Sequence, residues 1–287
     1  MKLHEIRVRD PFILSVGDTE YLTGTTCSDA EGDVPPLTIY RSQDGENFER
    51  LAPLVTDGSL DTYCDIWAPE IHAYRGKYYL IVSAKRADLG RGSFILVSDT
   101  PTGPYRMLTG RYITPAGWGC LDATLFVCGG RPYLCFSNEW TTPITGDGDG
   151  ALYMAELTED LTDIVGRPHK IVSGKYASFS VRIEVNIDGT LYRGYVAEGP
   201  WLYEEEGGIV LLWSTFTKDG YAVVRSVSRS GIFGDYEFDR LVFTRDGGHC
   251  MRFIDHRGEA SLILHRPNTY PDERPCILPD AAPGADQ

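Results

Sequence analysis

The chain has 287 residues, 42 % of them apolar and 24 % charged, with a formal net charge of −14. This composition is ordinary for a globular protein with enough length to bury a sizeable core. The acidic balance argues against nucleic acid and against an anionic membrane surface, both of which need basic surface, and fits a neutral sugar or small-molecule partner.

The N-terminal MKLHEIRVRD lacks the apolar stretch of a signal peptide, and no run reaches the length of a membrane-spanning helix. Seven cysteines (Cys27, Cys64, Cys120, Cys128, Cys135, Cys250 and Cys276) make no C-x-x-C pair. Free thiols in a reducing cytoplasm are the expectation, and secretion is expected only if a leader was trimmed.

In chain order, the first predicted strand is RDPFIL, which begins with a carboxylate, Asp10, before Pro11. WAPEIHAYRGKYYLIVSA and SFILVSD follow, then CLDATLFVCGGRPYLCFS, which runs into SNEWT. LYRGYVAEGPWLY, GIVLLWSTFTKDGYAVVRSVS, DGGHCMRF and ASLILH complete the set, and the small, polar tail DAAPGADQ is expected to fray. These runs are rich in β-branched and aromatic residues and are separated by hairpin signals such as RG, GG and DG. No stretch has a convincing helical period, so the chain is expected to be all-β.

The strands carry a repeat. IYRSQDGENFERL, LVSDTPTGPYRML and RSVSRSGIFGDYEFDRL each read as a strand, a Ser-rich turn and an aromatic, with YMAELTEDLTDI as a weaker copy. A unit of about 60 residues with several strands reads as a propeller blade, which gives about five blades. The predicted organisation is a single five-bladed β-propeller over residues 1–280 with a flexible tail at 281–287. A β-sandwich is the competing architecture, and it leaves the repeat unexplained.

Unusual polar residues fall about once per blade: Asp10, Glu70 beside Trp67 and Pro69, Asp122, Glu198 and His249. The first strand of each propeller blade lines the central channel, so these positions converge on one mouth. Pro11, Pro69 and Pro200 suit the free edge of an innermost strand, with the preceding residue held extended. An Asp before Pro is commonly a turn residue, and His249 also reads as a core histidine and Glu70 as a supporting partner. Asp122 and Glu198, however, interrupt apolar runs and need a reason to be inside. Two or three carboxylates in a channel suit glycoside hydrolysis, where a protonated acid serves the leaving oxygen and an ionised one activates water or attacks carbon. Trp67, Trp118, Trp140 and Trp201 offer faces to sugar rings, whereas Trp213 reads as core.

RDPFIL, WAPEIH, LDATLF and AEGPWLY, in that order, resemble glycoside hydrolase family 43, with SDTPTGPY and GGHCMRF adding to the likeness. The resemblance implies a five-bladed propeller that releases terminal α-L-arabinofuranosyl or β-D-xylosyl residues from oligosaccharides with inversion. It implies Asp10 as general base, Asp122 as the residue that tunes and orients the acid, and Glu198 as general acid. Trp67, Trp140 and His249 are implied substrate-binding positions, with Asn138 and Glu139 at the rim. No cofactor is required, although His249 resembles a channel histidine that holds a calcium or sodium ion through water. Cys250, where a small residue is common, counts against a tight ion site. The chain has no room for the extra β-sandwich of many β-xylosidases, which favours an arabinofuranosidase-like member or one closed by residues 141–150. The alternatives are a galactofuranosidase, a retaining invertase-like hydrolase, a non-catalytic sugar-binding propeller and a scaffold that binds protein on its rim.

Overall fold

The apolar runs pair into five antiparallel meanders. The computed structural model describes residues 1–27, 35–142, 144, 148–187 and 189–280, with only the backbone of Tyr176. The predicted tail at 281–287 and part of the 141–150 segment lie outside the described residues. Blade I holds β1 (Val8–Val16), β2 (Thr19–Thr26), β3 (Tyr40–Ser42) and β4 (Glu49–Arg50). Blade II holds β5 (Cys64–Tyr74), β6 (Lys77–Arg86), β7 (Gly90–Ser98) and β8 (Arg106–Met107). Blade III holds β9 (Cys120–Cys128), β10 (Arg131–Asn138), β11 (Ala151–Leu157) and β12 (Ile164–Ser173). A separate hairpin, β13 (Ile183–Ile187) with β14 (Thr190–Gly194), precedes blade IV. That blade holds β15 (Glu198–Glu205), β16 (Gly208–Thr217), β17 (Gly220–Ser228) and β18 (Glu237–Phe243). Blade V has three strands, β19 (Gly248–Ile254), β20 (Ala260–Arg266) and β21 (Arg274–Pro279).

The first strands of the blades meet in a ring. β1 lies against β5 and β19, β9 lies against β5 and β15, and β15 lies against β19. This is the predicted five-bladed propeller, built as a single domain. Turn chemistry supports it locally: Gly129 and Gly130, both at positive φ, close the β9–β10 hairpin between Cys128 and Arg131, as a tight primed turn requires.

The core lies between blades rather than within one sheet. Leu80 packs in the wedge shared by blades I and II, and its neighbour Ile81 packs in the wedge between II and III. Leu211 and Trp213 face blade III, while Val210 and Leu212 face blade V. Both faces of a central strand are therefore buried, which is why the sequence reads there as short continuous apolar runs without polar alternation.

Candidate active site

Each innermost strand breaks register at the same place. In β1 the pairing jumps from Arg9–Thr25 to Phe12–Thr23, leaving Asp10 and Pro11 in a bulge. The matching bulges are Ala68–Pro69, Asp122–Ala123, Gly199–Pro200 and His249–Cys250. The first residue of each has positive φ: 51° at Asp10, 46° at Ala68, 53° at Asp122, 57° at Gly199 and 54° at His249. The expected extended conformation before the prolines is thus wrong, because a bulge re-aims the side chain and proline follows where a ladder N–H has no place.

Side chains one strand out hold the bulges to the next blade. The N–H of Ala68 donates to Thr25 Oγ1 (2.7 Å), that of Asp122 to Ser83 Oγ (2.9 Å) and that of His249 to Ser214 Oγ (2.8 Å). The N–H of Asp10 donates to Nδ1 of His265 (3.2 Å), closing the ring from blade V to blade I. Blade IV departs from this rule. Ser137 Oγ donates to the carbonyl of Ala197, and the N–H of Gly199 turns to Asp122 Oδ2 at 3.1 Å. A Cβ on Gly199 would lie 3.1 Å from the His249 ring, so this blade carries glycine in the bulge and its carboxylate, Glu198, one residue earlier.

The bulges open onto a cavity of about 630 Å³ lined by Asp10, Asp122, Glu198, His249, Trp67 and Glu139, among others. Asp10 Oδ2 accepts from Thr25 Oγ1 (2.7 Å), and its Oδ1 lies 3.3 Å from Arg9 Nε and 3.1 Å from His249 Nδ1. The same His249 nitrogen is 3.8 Å from Asp122 Oδ2. Glu198 Oε1 accepts a 2.7 Å hydrogen bond from the Tyr221 hydroxyl.

These contacts drive the carboxyls apart. Burial works against ionising Asp10, but Arg9 and His249 outweigh it and hold the carboxyl well below its ordinary range. Burial pushes Asp122 up to about 7, with Glu198 and Asp10 adding to the shift and His249 opposing it. Burial also raises Glu198, against the Tyr221 hydrogen bond and the charge of Arg9. Burial alone would lower His249, yet Asp10 and Asp122 bring it up to about 9, so it stands as a cation. His265, by contrast, is pushed down to about 4 by burial.

Five of the six predicted site residues therefore share one cavity. Trp140 is not among its described lining residues; its ring packs beside the backbone at Gly194. Asn138 is buried and binds the Trp118 and Thr142 carbonyls through Nδ2, fixing a turn. Glu70 pairs with His72 at 2.8 Å, as a supporting residue would. Trp67 carries the Arg91 guanidinium 3.6 Å from its ring centroid. For an ion, no three His, Cys, Asp or Glu side chains among the described residues are placed to hold one directly. Sequence reasoning missed Arg9, Tyr221 and His265. The last could have been found, since LILHRP is an apolar run broken by a polar residue, the signal that marked Asp122.

Known proteins share this fold. The family model of glycosyl hydrolases family 43 matches residues 3–275. The crystal structure of an endo-arabinase from Bacteroides thetaiotaomicron superposes with a TM-score of 0.86 at 31 % identity, covering 98 % of this chain and 97 % of that one. An exo-1,5-α-L-arabinanase from a bovine ruminal metagenomic library, at 17 % identity and a TM-score of 0.65, shares the fold over 94 % of this chain and 92 % of its own. An extracellular exo-α-(1→5)-L-arabinofuranosidase of Streptomyces chartreusis is 27 % identical over 169 residues, 57 % of this chain and 47 % of that protein. The match thus spans about half the length of that curated relative. With the family model spanning nearly the whole chain and a propeller superposing end to end, the chain belongs to glycosyl hydrolases family 43.

Proposed function

We propose that the cavity hydrolyses terminal α-L-arabinofuranosyl linkages of oligosaccharides with inversion, Asp10 acting as base and Glu198 as acid. The observation that carries this reading is the opposite displacement of the two carboxyls in one cavity, Asp10 downward and Glu198 upward. An ionised group able to take a proton and a protonated group able to give one are what the reaction needs. Water attacks the anomeric carbon and loses one proton to Asp10. The glycosidic bond breaks, and its oxygen takes the Glu198 proton. Asp122 orients the acid by accepting the Gly199 N–H, and burial together with the charge of Asp10 keeps Glu198 protonated. Trp67 serves as a wall of the sugar subsite, and His249 holds Asp10.

Arabinose is favoured over xylose because the Bacteroides relative is named an endo-arabinase and the Streptomyces relative an arabinofuranosidase. Aryl arabinofuranosides and xylosides, linear arabinan and NMR of the product anomer test the reading. Arabinose released with inverted configuration is expected; a retained anomer, or preference for the xyloside, overturns the mechanism or the substrate respectively. Oligosaccharides as the first products would instead mark internal cleavage, as the name of the Bacteroides protein has it. Asp10→Ala and Glu198→Ala should each lower kcat by about 10²–10⁴ on an unactivated substrate. A reducing compartment is proposed from the seven free thiols, four of them buried, and cell fractionation checks it. Among the described residues no helix is long and apolar enough to cross a membrane.

A further inference from the structure

We propose that Tyr221 is a positioning residue that occupies Oε1 of Glu198 and so assigns the transferable proton to Oε2. The inference rests on the reading of Glu198 as the acid. A protonated carboxyl has one carbonyl oxygen and one hydroxyl, and the carbonyl oxygen is the better acceptor. The Tyr221 hydroxyl reaches Oε1 at 2.7 Å, so Oε1 is the carbonyl and Oε2 bears the proton. Burial keeps the phenol protonated and hence a donor.

Tyr221 has little freedom to do anything else. It is wholly buried at the start of β17 and packs on Phe216 at 5.0 Å between ring centroids. A Cβ on Gly248 would sit 2.1 Å from its ring, so that strand has been left bare to receive it. Its other neighbour is His265, stacked at 5.8 Å and 22°. Nδ1 of His265 accepts the Asp10 N–H, and its Nε2 faces Asn268 Oδ1 at 3.1 Å, so a neutral ring with its proton on Nε2 satisfies both contacts. One stack of two rings therefore ties the support of the acid to the support of the base.

The bond also favours the transition state. As the glycosidic bond breaks, the Oε2 proton passes to the leaving oxygen and Glu198 becomes a carboxylate. The Tyr221 bond then becomes charge-assisted and strengthens as charge develops. The other charged or titratable groups acting on Glu198 are Arg9 and Asp10 from β1, His249 from β19 and Asp122 from β9. Without the Tyr221 donor, the protonated form of Glu198 is favoured further. Activity that needs this proton falls as pH rises through the Glu198 pKa, so the basic limb of the profile moves to higher pH.

The test uses Tyr221→Phe with the dinitrophenyl and the phenyl glycoside of the pentose that wild type hydrolyses best. A dinitrophenolate leaves with little need of a proton, whereas a phenolate needs one. The kcat ratio of dinitrophenyl to phenyl substrate should rise about 10- to 100-fold, with the basic limb displaced upward. Equal losses on both substrates with an unmoved limb would make Tyr221 a packing residue and overturn the proposal. Glu198→Ala separates the two readings: it should raise the same ratio further, and if it does not, the acid assignment itself fails. If Tyr221→Phe does not fold, 3,5-difluorotyrosine at position 221 keeps the shape and strengthens the donor. It should move the basic limb downward, and an unmoved limb counts against the proposal.

Discussion

At the scale of single residues, what touches a side chain matters more than its type. His249 and His265 are both buried, and each lies close to Asp10 Oδ1, at 3.1 and 3.6 Å. The first also meets Asp122 and becomes a cation; the second receives an N–H and stays neutral. Their pKa values move in opposite directions, to about 9 and about 4 from 6.5. The stability contributed by His249 is fully present below pH 6.5 and is lost as pH rises through about 9. That contributed by His265 is present above pH 6.5 and is lost as pH falls toward about 4. These two groups therefore place a stability maximum near pH 6.5. Urea midpoints measured across pH should show His249→Asn removing part of the loss above pH 6.5 and His265→Asn part of the loss below it, both read against the opposite trend that the raised Asp122 carboxyl imposes up to about pH 7. Asp122 and Glu198 drew notice in the sequence because each interrupts an apolar run, and Asp10 because it opens one before a proline. Tyr221 did not, because tyrosine is at home in a strand and its partner lies 23 residues away.

At the scale of elements, the site is a repeat with one exception. Four bulge N–H groups find Thr25, Ser83, Ser214 or His265, the second-strand residue paired just before the bulge of the preceding blade. The sequence contained the pattern in part, a hydroxyl or imidazole closing an apolar run in IVSAK, LWSTF and LILHRP, with Thr25 among other hydroxyls in TGTTC. It could not be read without the register, because a shift of one residue changes which side chain faces the neighbouring blade. The same blindness put Glu198 in step with Asp10, although Gly199 is the equivalent residue. The exception at Gly199 frees an N–H for Asp122, and this brings the second and third carboxyls together. Ser214→Ala would leave the buried His249 N–H without its partner and should cost about 1–3 kcal/mol. Thermal unfolding measures this loss, and an unchanged midpoint would mean that the bulges do not depend on these bonds. Ser83→Ala should behave alike at Asp122.

At the scale of the whole molecule, the ring gathers distant chain positions into one cavity and sets the field in which they work. The blade count was legible because four turns of like chemistry set a unit of about 60 residues in a chain of 287; which loops wall the cavity was not, because loop sequence carries no period. Arg9 and His249 offset Asp10 inside the cavity and burial holds Glu198 protonated, so the long-range field comes from the chain as a whole, which carries −14. A neutral arabinan fragment meets no long-range penalty on approach. A fragment bearing a uronate meets repulsion that is felt over about 10 Å at 0.1 M salt and is screened as salt rises. The ratio of kcat/KM for a neutral oligosaccharide to that for its uronate-bearing counterpart should therefore exceed one at low ionic strength and shrink as salt is added. Most of the change should appear in the charged substrate. A ratio independent of salt would place the discrimination in short-range contacts with the cavity wall, such as Trp67 under Arg91, rather than in the charge of the molecule.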